Sequence, residues 1–342
     1  MSILKIDDQN EIYYEYVAPK NGGFTCVFVN ALTGDVSTWN GSIGENLIRN
    51  NDGYLVYNFR GQSQSKFDRD LELNDEIIVN DLISLLNFIK PKNIVLIGDQ
   101  MQLSQPIKGT HPGISGKSSL EYLLEGYDTI PAEKGIFLNE TRRLNENICE
   151  FISSSFYDSR LKPHPVTIER FVKLDIDGIN SEGINFIPMS HENNSQKSIE
   201  ESDCIKNLIN KSIGKKCKDN KDSSERKISL DDILVVAPFN AQVNYMTRNF
   251  DKNTKIGTID KFQGQEAKIV FISMTSSDPE NIPRHKEFFF SRNRLNVAIS
   301  RAECVAIILF NPRLLNTSCQ KIEEMKLINN FCKLLKYKTD LS

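Results

Sequence analysis

Two segments in the last third of the chain each join a polar turn or helix to a long apolar strand. They read GTIDKFQGQEAKIVFI, residues 257–272, and RLNVAISRAECVAIILF, residues 294–310. The apolar run in each is continuous rather than alternating, which is typical of strands covered on both faces in a parallel sheet. Residues 233–236 form a third such run. The pattern predicts an α/β fold with mainly parallel sheets and flanking helices.

The first 97 residues show a similar succession of strands and helices. Apolar, β-branched and aromatic runs predict strands at residues 12–17, 24–29 and 54–59, and residues 77–89 carry a helical apolar stripe. The run NIVLIG, residues 93–98, is short and ends in glycine, which predicts a buried parallel strand.

The middle of the chain is more irregular. Periodicity predicts helices at residues 145–157, 198–213 and 293–302, and a short strand at residues 135–138. Ser198 and Glu201 have the spacing of a capping box at the start of the second helix. Residues 215–227, KKCKDNKDSSERK, are polar and mixed in charge, which predicts an exposed, mobile loop.

Composition excludes several classes of protein. No apolar run among the 342 residues approaches the roughly 20 needed to span a bilayer, and the acidic start MSILKIDDQNE is unlike a signal peptide, so we expect a cytoplasmic location. The net charge of −3 does not indicate nucleic-acid binding, which would need a local basic patch. The cysteines lack zinc-ligand spacing and are expected to be buried, reduced thiols: Cys26, Cys149, Cys204, Cys217, Cys304, Cys319 and Cys332.

Residues 5–98 resemble the α/β-hydrolases. The resemblance is carried by FVNALTGDVSTW (28–39), YNFRGQSQSKF (57–67) and IVLIG, which follow one another at that family's spacing. In that family the last strand runs into a G-x-S-x-G nucleophile elbow. Here Gln100 stands in place of the serine, and Gln102 in place of the second glycine. The resemblance therefore implies a hydrolase-like half-sheet without hydrolase chemistry.

Residues 96–312 resemble superfamily 1 helicases, in the branch related to nonsense-decay helicases. GDQMQLSQP (98–106) is similar to motif III of that family, and residues 108–124, 130–161 and 233–243 are similar to further parts of the same branch. The two segments described first complete the match. Five motifs in the family's order indicate common ancestry far better than one motif does. The resemblance implies a second RecA-like domain, of the P-loop NTPase type.

The resemblance also implies roles for individual residues. Arg143 and Arg301 match two arginine fingers, which stabilise charge developing on transferred phosphate, and Gln102 matches a glutamine that senses the γ-phosphate. The implied cofactors are ATP and Mg²⁺, and the implied partner is single-stranded DNA or RNA. The residues expected at the nucleotide are Gly98, Asp99, Gln263, Gly264 and Glu266, and those expected at the nucleic acid are Thr258, Lys261 and Arg294.

Several of these roles have a plainer alternative. Arg301, taken alone, is as easily a surface arginine paired with Glu303. Arg142 stands where the family usually has an aromatic residue and is able to exchange roles with Arg143, and Asn145 and Glu146 replace the usual His-Pro. A basic cluster is either a solvated face or a phosphate contact: Arg284, Lys286, Arg292 and Arg294.

A helicase motor also needs a G-x-x-x-x-G-K-[ST] loop to hold the phosphates. Gly116, Lys117 and Ser118 match only the end of that motif, because His111 stands where its first glycine belongs and no strand precedes it. A magnesium-binding acid pair is also missing, since Asp75 and Glu76 begin a helix instead of ending a strand.

The sequence therefore predicts an incomplete helicase-derived module, whose stand-alone ATPase activity is not expected and whose phosphate-binding loop comes from a partner chain. The alternatives are an α/β-hydrolase-type enzyme and a non-catalytic fusion or interaction protein. The expected organisation is a hydrolase-like segment at 1–97, a motif III strand end and linker at 98–135, a second RecA-like domain at 136–315 and a helical tail at 316–342.

Overall fold

The computed structural model of the chain consists of two compact units. The first unit comprises residues 1–99 and 106–123, and the second comprises residues 100–105 and 124–342. In the described part of the chain, no helix has the length and apolarity to cross a membrane. The structure describes residues 2–29, 36–68, 70, 75–95, 99–102, 119–124, 126–262, 265–279, 282, 291–316, 325, 328–329 and 332.

The described elements alternate between strands and helices along most of the chain. The strands are β1 (Ser2–Lys5), β2 (Glu11–Val17), β3 (Thr25–Val29), β4 (Gly53–Tyr57), β5 (Ile94–Val95), β6 (Glu140–Thr141), β7 (Lys162–Pro163), β8 (Phe171–Val172), β9 (Gly183–Pro188), β10 (Lys216–Lys218), β11 (Arg226–Lys227), β12 (Ile233–Val236), β13 (Lys255–Gly257), β14 (Ala267–Ser273) and β15 (Ala302–Phe310). The α-helices are α1 (Ser37–Asn40), α2 (Ser42–Arg49), α3 (Asp75–Ile89), α4 (Ser119–Leu124), α5 (Glu146–Phe156), α6 (Ile199–Ser212), α7 (Asn240–Asn249) and α8 (Arg292–Ile299). Short 3-10 helices lie at Pro165–Thr167, Leu230–Asp232, Ile259–Phe262 and Pro312–Asn316.

The second unit is built on a five-stranded sheet in the order β13-β12-β14-β15-β9, and every pair in it is parallel. Successive residues of a strand point to opposite faces, so Val270 and Ile272 pack with α5 and α8 while Ile269 and Phe271 pack with α6. Both faces are therefore covered, which explains why these strands are apolar throughout. The prediction of parallel sheets with flanking helices is confirmed.

The first unit contains a mixed sheet in the order β1-β2-β4-β3-β5. The β1–β2 and β2–β4 pairs are antiparallel, and the β4–β3 and β3–β5 pairs are parallel. Leu55 and Tyr57 pack with Leu85 of α3, whereas Tyr54 and Val56 pack on the other face with Trp39. The predicted strands at 12–17, 24–29 and 54–59 and the predicted helix at 77–89 are all present.

Two strand predictions are wrong in part. The run 93–98 was expected to be buried, but its described residues Ile94 and Val95 are 47% and 37% exposed because β5 lies at the end of the sheet order. Residues 135–138 form no strand, and Ile136 and Leu138 are 87% and 76% exposed. A strand forms only where a neighbouring strand can pair with it, and apolar composition does not show whether such a neighbour is present.

Residues 215–227 are more ordered than predicted. They contain the β10–β11 hairpin, in which Cys217 is paired with Arg226, and β10 also pairs with β8. Asp219 is held by Arg226 at 2.9 Å and by Lys268 at 2.7 Å. These ion pairs and the complete burial of Cys217 fix a segment whose composition alone indicates a mobile loop.

The predicted cysteine burial holds for Cys26, Cys149, Cys217 and Cys304, while Cys204 and Cys332 are half-buried and Cys319 lies outside the described residues. Burial raises the pKa of Cys149 to about 11 and that of Cys304 to about 12.

Candidate functional site

Arg301 lies in the turn that joins α8 to β15. The predicted helix 293–302 ends earlier, at Ile299, because the chain must turn before entering the central strand β15. The Arg301 side chain is almost completely buried, since the residue is only 2% exposed. Its Nη1 donates to the carbonyl oxygen of Gln265 at 3.1 Å, and its buried Nε has no hydrogen-bond partner among the described residues.

The alternative of a surface arginine paired with Glu303 is wrong. Glu303 pairs with Arg170 at 3.4 Å and with Lys268 at 3.3 Å. Within the described ranges, no ion pair joins Arg301 to any carboxylate inside 4.0 Å. Burial and, to a smaller extent, the nearby charge of Arg143 lower the pKa of Arg301 to about 10, while Glu266 acts in the opposite direction.

Arg143 lies beside Arg301, and Glu266 holds it there. Its Nε donates to the Glu266 carboxylate at 2.5 Å, and its Nη1 donates to the Ser300 carbonyl oxygen at 3.3 Å. Arg143 is about 29% exposed and Glu266 about 48% exposed, so this edge of the cluster opens to solvent. We call Arg143, Glu266 and Arg301 the arginine cluster. Two guanidiniums against one carboxylate suit an anionic ligand with several oxygens.

Two features of the chain position Arg143. Asn145 is the N-cap of α5: its side chain accepts from the Ile148 amide at 3.1 Å and donates to the Cys304 carbonyl oxygen at 2.9 Å. Asn145, one of the two residues that replace the usual His-Pro, therefore caps α5 and links it to β15. Arg170 donates to the Arg143 carbonyl oxygen at 2.6 Å. Arg142 is exposed, so the structure places Arg143 and not Arg142 in the cluster.

The segment 100–102 is fastened to α8 through its backbone. Asn293 donates to the carbonyl oxygens of Gln100 at 3.0 Å and Gln102 at 2.6 Å, and Asn296 donates to that of Met101 at 2.8 Å. We call these contacts the α8 clasp. Of the other residues expected at the nucleotide, Asp99 belongs to the first unit, and Gly98, Gln263 and Gly264 lie outside the described residues.

The residues expected at the nucleic acid lie around the 3-10 helix Ile259–Phe262. The Lys261 amide donates to the Thr258 carbonyl oxygen at 3.1 Å, and the Lys261 Nζ donates to that of Ile256 at 3.2 Å. Arg294 is bonded to both carboxylate oxygens of Asp260, at 3.0 and 3.2 Å.

Gly257 is required just before this short helix. A Cβ at that position would lie 2.7 Å from the Lys261 Cδ and 2.9 Å from the Phe262 Cε2, both closer than real Cβ contacts. The close turn after β13 therefore depends on glycine, which brings Lys261 back against the strand end.

The basic cluster does not act as one unit. Arg292 binds both carboxylate oxygens of Asp128, at 2.8 and 2.6 Å, and the carbonyl oxygen of Ser155 at 2.7 Å. Arg292 therefore acts as a structural bridge within the second unit. Arg284 and Lys286 lie outside the described residues.

Sequence reasoning missed two buried polar networks at opposite ends of β14. At its start, Lys268 is 3% exposed and links Asp219 to Glu303. Burial alone would lower the pKa of Lys268, but the hydrogen bond to Asp219 and the charge of Glu303 raise it. The sequence did contain an indication of such a network, because Lys268 is a single lysine inside an otherwise apolar strand.

The second network surrounds Glu201 at the end of β14. Its carboxylate accepts from the Ser273 hydroxyl at 2.5 Å and the Thr275 amide at 2.8 Å, and it lies 3.1 Å from the His191 Nε2. Ser198 caps α6 by accepting from the Glu201 amide at 3.1 Å, so only half of the predicted capping box forms. The Glu201 side chain serves this network instead.

Among the described residues, no group of three His, Cys, Asp or Glu side chains gathers where a metal ion could be held. The guanidiniums of Arg143 and Arg301 are planar donors of the kind that fits phosphate oxygens.

The all-parallel sheet with helices on both faces makes the second unit an α/β domain. The chain belongs to the AAA domain family, which residues 116–313, more than half of the sequence, match. This confirms the superfamily 1 helicase-like region. The match begins at residue 116 and gives no support to the α/β-hydrolase resemblance of residues 5–98.

Relatives among curated proteins are helicases. The chain is 28% identical over 252 residues to an uncharacterized ATP-dependent helicase of Methanocaldococcus jannaschii, covering 68% of this chain and 34% of that protein. It is 28% identical to the DNA polymerase alpha-associated DNA helicase A of Schizosaccharomyces pombe, covering 61% and 32%. The chain thus spans about a third of the length of these two relatives. Among solved structures, the PRRSV helicase is 15% identical with a TM-score of 0.31, covering 70% of this chain and 33% of that one.

Proposed function

We propose that the second unit is the arginine-bearing RecA-like domain of an ATP-driven, superfamily 1 nucleic-acid helicase. In this role Arg143 and Arg301 bind the β- and γ-phosphates of ATP and stabilise charge that develops during phosphoryl transfer. The helicase resemblance assigns Gln102 to sensing of the γ-phosphate, and Asp99, Gly98, Gln263, Gly264 and Glu266 to the surroundings of the nucleotide.

One observation carries this proposal: Arg301 is buried, charged and without an ion-pair partner among the described residues. A buried guanidinium that lacks a carboxylate weakens the fold, because its desolvation is not offset by Coulomb attraction. Such an arrangement is expected where an external anion supplies the missing charge. The neighbouring Arg143 adds a second, more accessible guanidinium.

We further propose that Thr258, Lys261 and Arg294 face a single strand of DNA or RNA. Lys261 lies beside a close backbone turn, and Arg294 is paired with an aspartate that is about half exposed. Exposed pairs of this kind are weak, so a phosphate can replace the carboxylate of Asp260 at low cost. The expected binding is weak and falls steeply with salt concentration. Binding that does not depend on salt would contradict this role.

The phosphate-binding loop and the magnesium ligands are proposed to come from a partner chain. ATP and Mg²⁺ are then bound jointly, with this chain supplying the arginines. The test is the ATPase activity of the purified chain with and without single-stranded nucleic acid, compared with Arg301→Ala. We expect no turnover above background in either protein. Robust turnover that Arg301→Ala abolishes would show that this chain holds a complete site.

Hydrolase chemistry in the first unit is not proposed. Gln100, at the position of the expected serine, donates through its amide to the Asp128 carbonyl oxygen at 2.6 Å and so acts as a structural link. A panel of ester substrates tests this assignment, and turnover of any of them would contradict it.

A further inference from the structure

Two neighbouring residues hold the two guanidiniums of the arginine cluster. The Gln265 carbonyl oxygen accepts from Arg301 at 3.1 Å, and the Glu266 carboxylate accepts from Arg143 at 2.5 Å. Gln265 and Glu266 directly precede β14, whose first residue donates its amide to the Arg301 carbonyl oxygen at 3.0 Å. The residues at the start of β14 are therefore hydrogen-bonded to both arginines.

The charges of the cluster are unequal. Arg143 and Arg301 bring two positive charges, and Glu266 brings one negative charge. The two arginines interact unfavourably, and Glu266 interacts favourably with Arg301 as well as with Arg143. One carboxylate therefore partly neutralises two guanidiniums, and a buried Nε of Arg301 still lacks a partner among the described residues.

The carboxylate is also the most accessible member. Glu266 is about 48% exposed, Arg143 about 29% and Arg301 about 2%. The order of exposure places the negative group outermost and the unpaired guanidinium deepest. An anion that enters from solvent meets Glu266 first. It must replace the Glu266 carboxylate as the partner of Arg143 before both arginines can bind it.

We propose that Glu266 is a displaceable counter-ion, which occupies the position of a phosphate group between the arginines and competes with the polyphosphate of a nucleoside triphosphate. This inference rests on the proposed function of the arginine cluster. The carboxylate keeps Arg143 in place and limits repulsion between the guanidiniums while no ligand is bound. It also makes affinity for polyphosphate lower than the two arginines alone would give.

The decisive variant is Glu266→Gln, which keeps the shape and an oxygen acceptor for Arg143 but removes the competing charge. Two probes separate the parts of the ligand: ATP, which carries a ribose, and inorganic tripolyphosphate, which does not. The matched control is Glu192→Gln, because Glu192 also forms an exposed pair with an arginine, Arg313, at 2.9 Å. Arg301→Met tests the anion site itself.

Affinities are measured by isothermal titration calorimetry at low and at moderate ionic strength. We expect Glu266→Gln to raise the affinity for both probes about fivefold at low salt, the effect of removing one charge about 4 Å away in a water-like medium. Added salt should shrink this gain, because it screens exposed charges. Glu192→Gln should bind both probes as the unsubstituted chain does, and Arg301→Met should bind both more weakly.

Three results would overturn the inference. If Glu266→Gln weakens ATP binding and leaves tripolyphosphate binding unchanged, Glu266 contacts the ribose and is not a competitor. If it changes neither affinity while Arg301→Met weakens both, the site binds phosphate without displacing Glu266, and only the inference fails. If neither probe binds the unsubstituted chain or any variant, the arginine cluster is no anion site in this chain alone, and the inference fails, whereas a site completed by a partner chain is not contradicted.

Discussion

At the scale of single residues, Arg301 and Arg292 show two opposite uses of a partly or fully buried arginine. Arg292 binds a carboxylate and a carbonyl oxygen, whereas Arg301 makes one hydrogen bond to the residues that the structure describes, to the carbonyl oxygen of the exposed Gln265. Water can replace that single bond if the guanidinium is removed. Under the proposed function, the charge on Arg301 serves ligand binding at the expense of stability, while the charge on Arg292 stabilises the fold.

The two arginines should consequently respond differently to the same substitution. We expect Arg301→Met to raise the free energy of unfolding by about 1 kcal/mol, because an unpaired buried charge is replaced by a packed apolar chain. Arg292→Met should lower it by about 2 kcal/mol, because Asp128 and the Ser155 carbonyl lose a charged hydrogen-bond partner. Urea denaturation at neutral pH measures both. A large loss of stability in Arg301→Met would mean that the guanidinium supports the fold.

The meeting of Arg143, Glu266 and Arg301 could not be derived from spacing. Arg143 is 123 positions from Glu266 and 157 from Ser300 along the chain. Only the helicase resemblance grouped these residues in advance. The resemblance did not indicate the ion pair between Arg143 and Glu266, because a motif gives residue types and does not show which charged residues pair with each other.

At the scale of elements, the β10–β11 hairpin depends on charge where the central sheet depends on apolar burial. Asp219 accepts from Arg226 and pairs with Lys268, and both interactions lower its pKa below the ordinary value of 3.8, in spite of an opposing effect of burial. A depressed carboxyl pKa contributes stability above the unfolded value, and this contribution is lost as the pH falls through the folded pKa.

The hairpin should therefore give a pH-dependent response to substitution. We expect Asp219→Asn to lower the free energy of unfolding by about 1 kcal/mol at pH 7, a modest value because the side chain is about 43% exposed. The difference from the unsubstituted chain should shrink as the pH is lowered below 3.8. Asp231→Asn is the control, since Asp231 is 89% exposed and pairs with Lys255 at 3.4 Å. Equal effects of the two substitutions would exclude a special role for Asp219.

The same contrast explains which elements were predictable. The strands β12, β14 and β15 are apolar on both faces, so their continuous runs identify them without any tertiary information. The hairpin was read as a loop because its partners lie far away in the sequence: Lys268 pairs with Asp219, and Arg170 donates to the Asp219 carbonyl oxygen at 2.9 Å. For residues 135–138 the prediction of a strand was wrong for the opposite reason. They have the composition of a strand, but no strand among the described residues lies beside them.

At the scale of the whole molecule, the described residues of the two compact units form hydrophobic clusters of different size. Those of the first unit form two small clusters on the faces of its sheet, and those of the second form two extensive clusters. A small core buries less apolar surface and offsets less conformational entropy. The first unit should therefore be the less stable of the two.

The single tryptophan makes this difference measurable. Trp39 belongs to the first unit and stacks on Phe28 at 4.9 Å, so its fluorescence reports unfolding there. We expect the fluorescence transition in urea to precede the loss of far-ultraviolet circular dichroism. A Trp39→Phe, Phe250→Trp variant moves the probe to the second unit, and its fluorescence should follow the later transition. Coincident transitions for both probes would show that the chain unfolds as one cooperative body.

The α8 clasp gives the chain a mechanical property. Residues 100–102 belong to the second unit, and their backbone carbonyl oxygens accept hydrogen bonds from Asn293 and Asn296. Arg301 follows two residues after the end of that stiff helix. A pulling force applied to this segment would therefore act on α8 through Asn293 and Asn296. It would reach the turn at Arg301 through the part of the helix from Asn293 to Ile299.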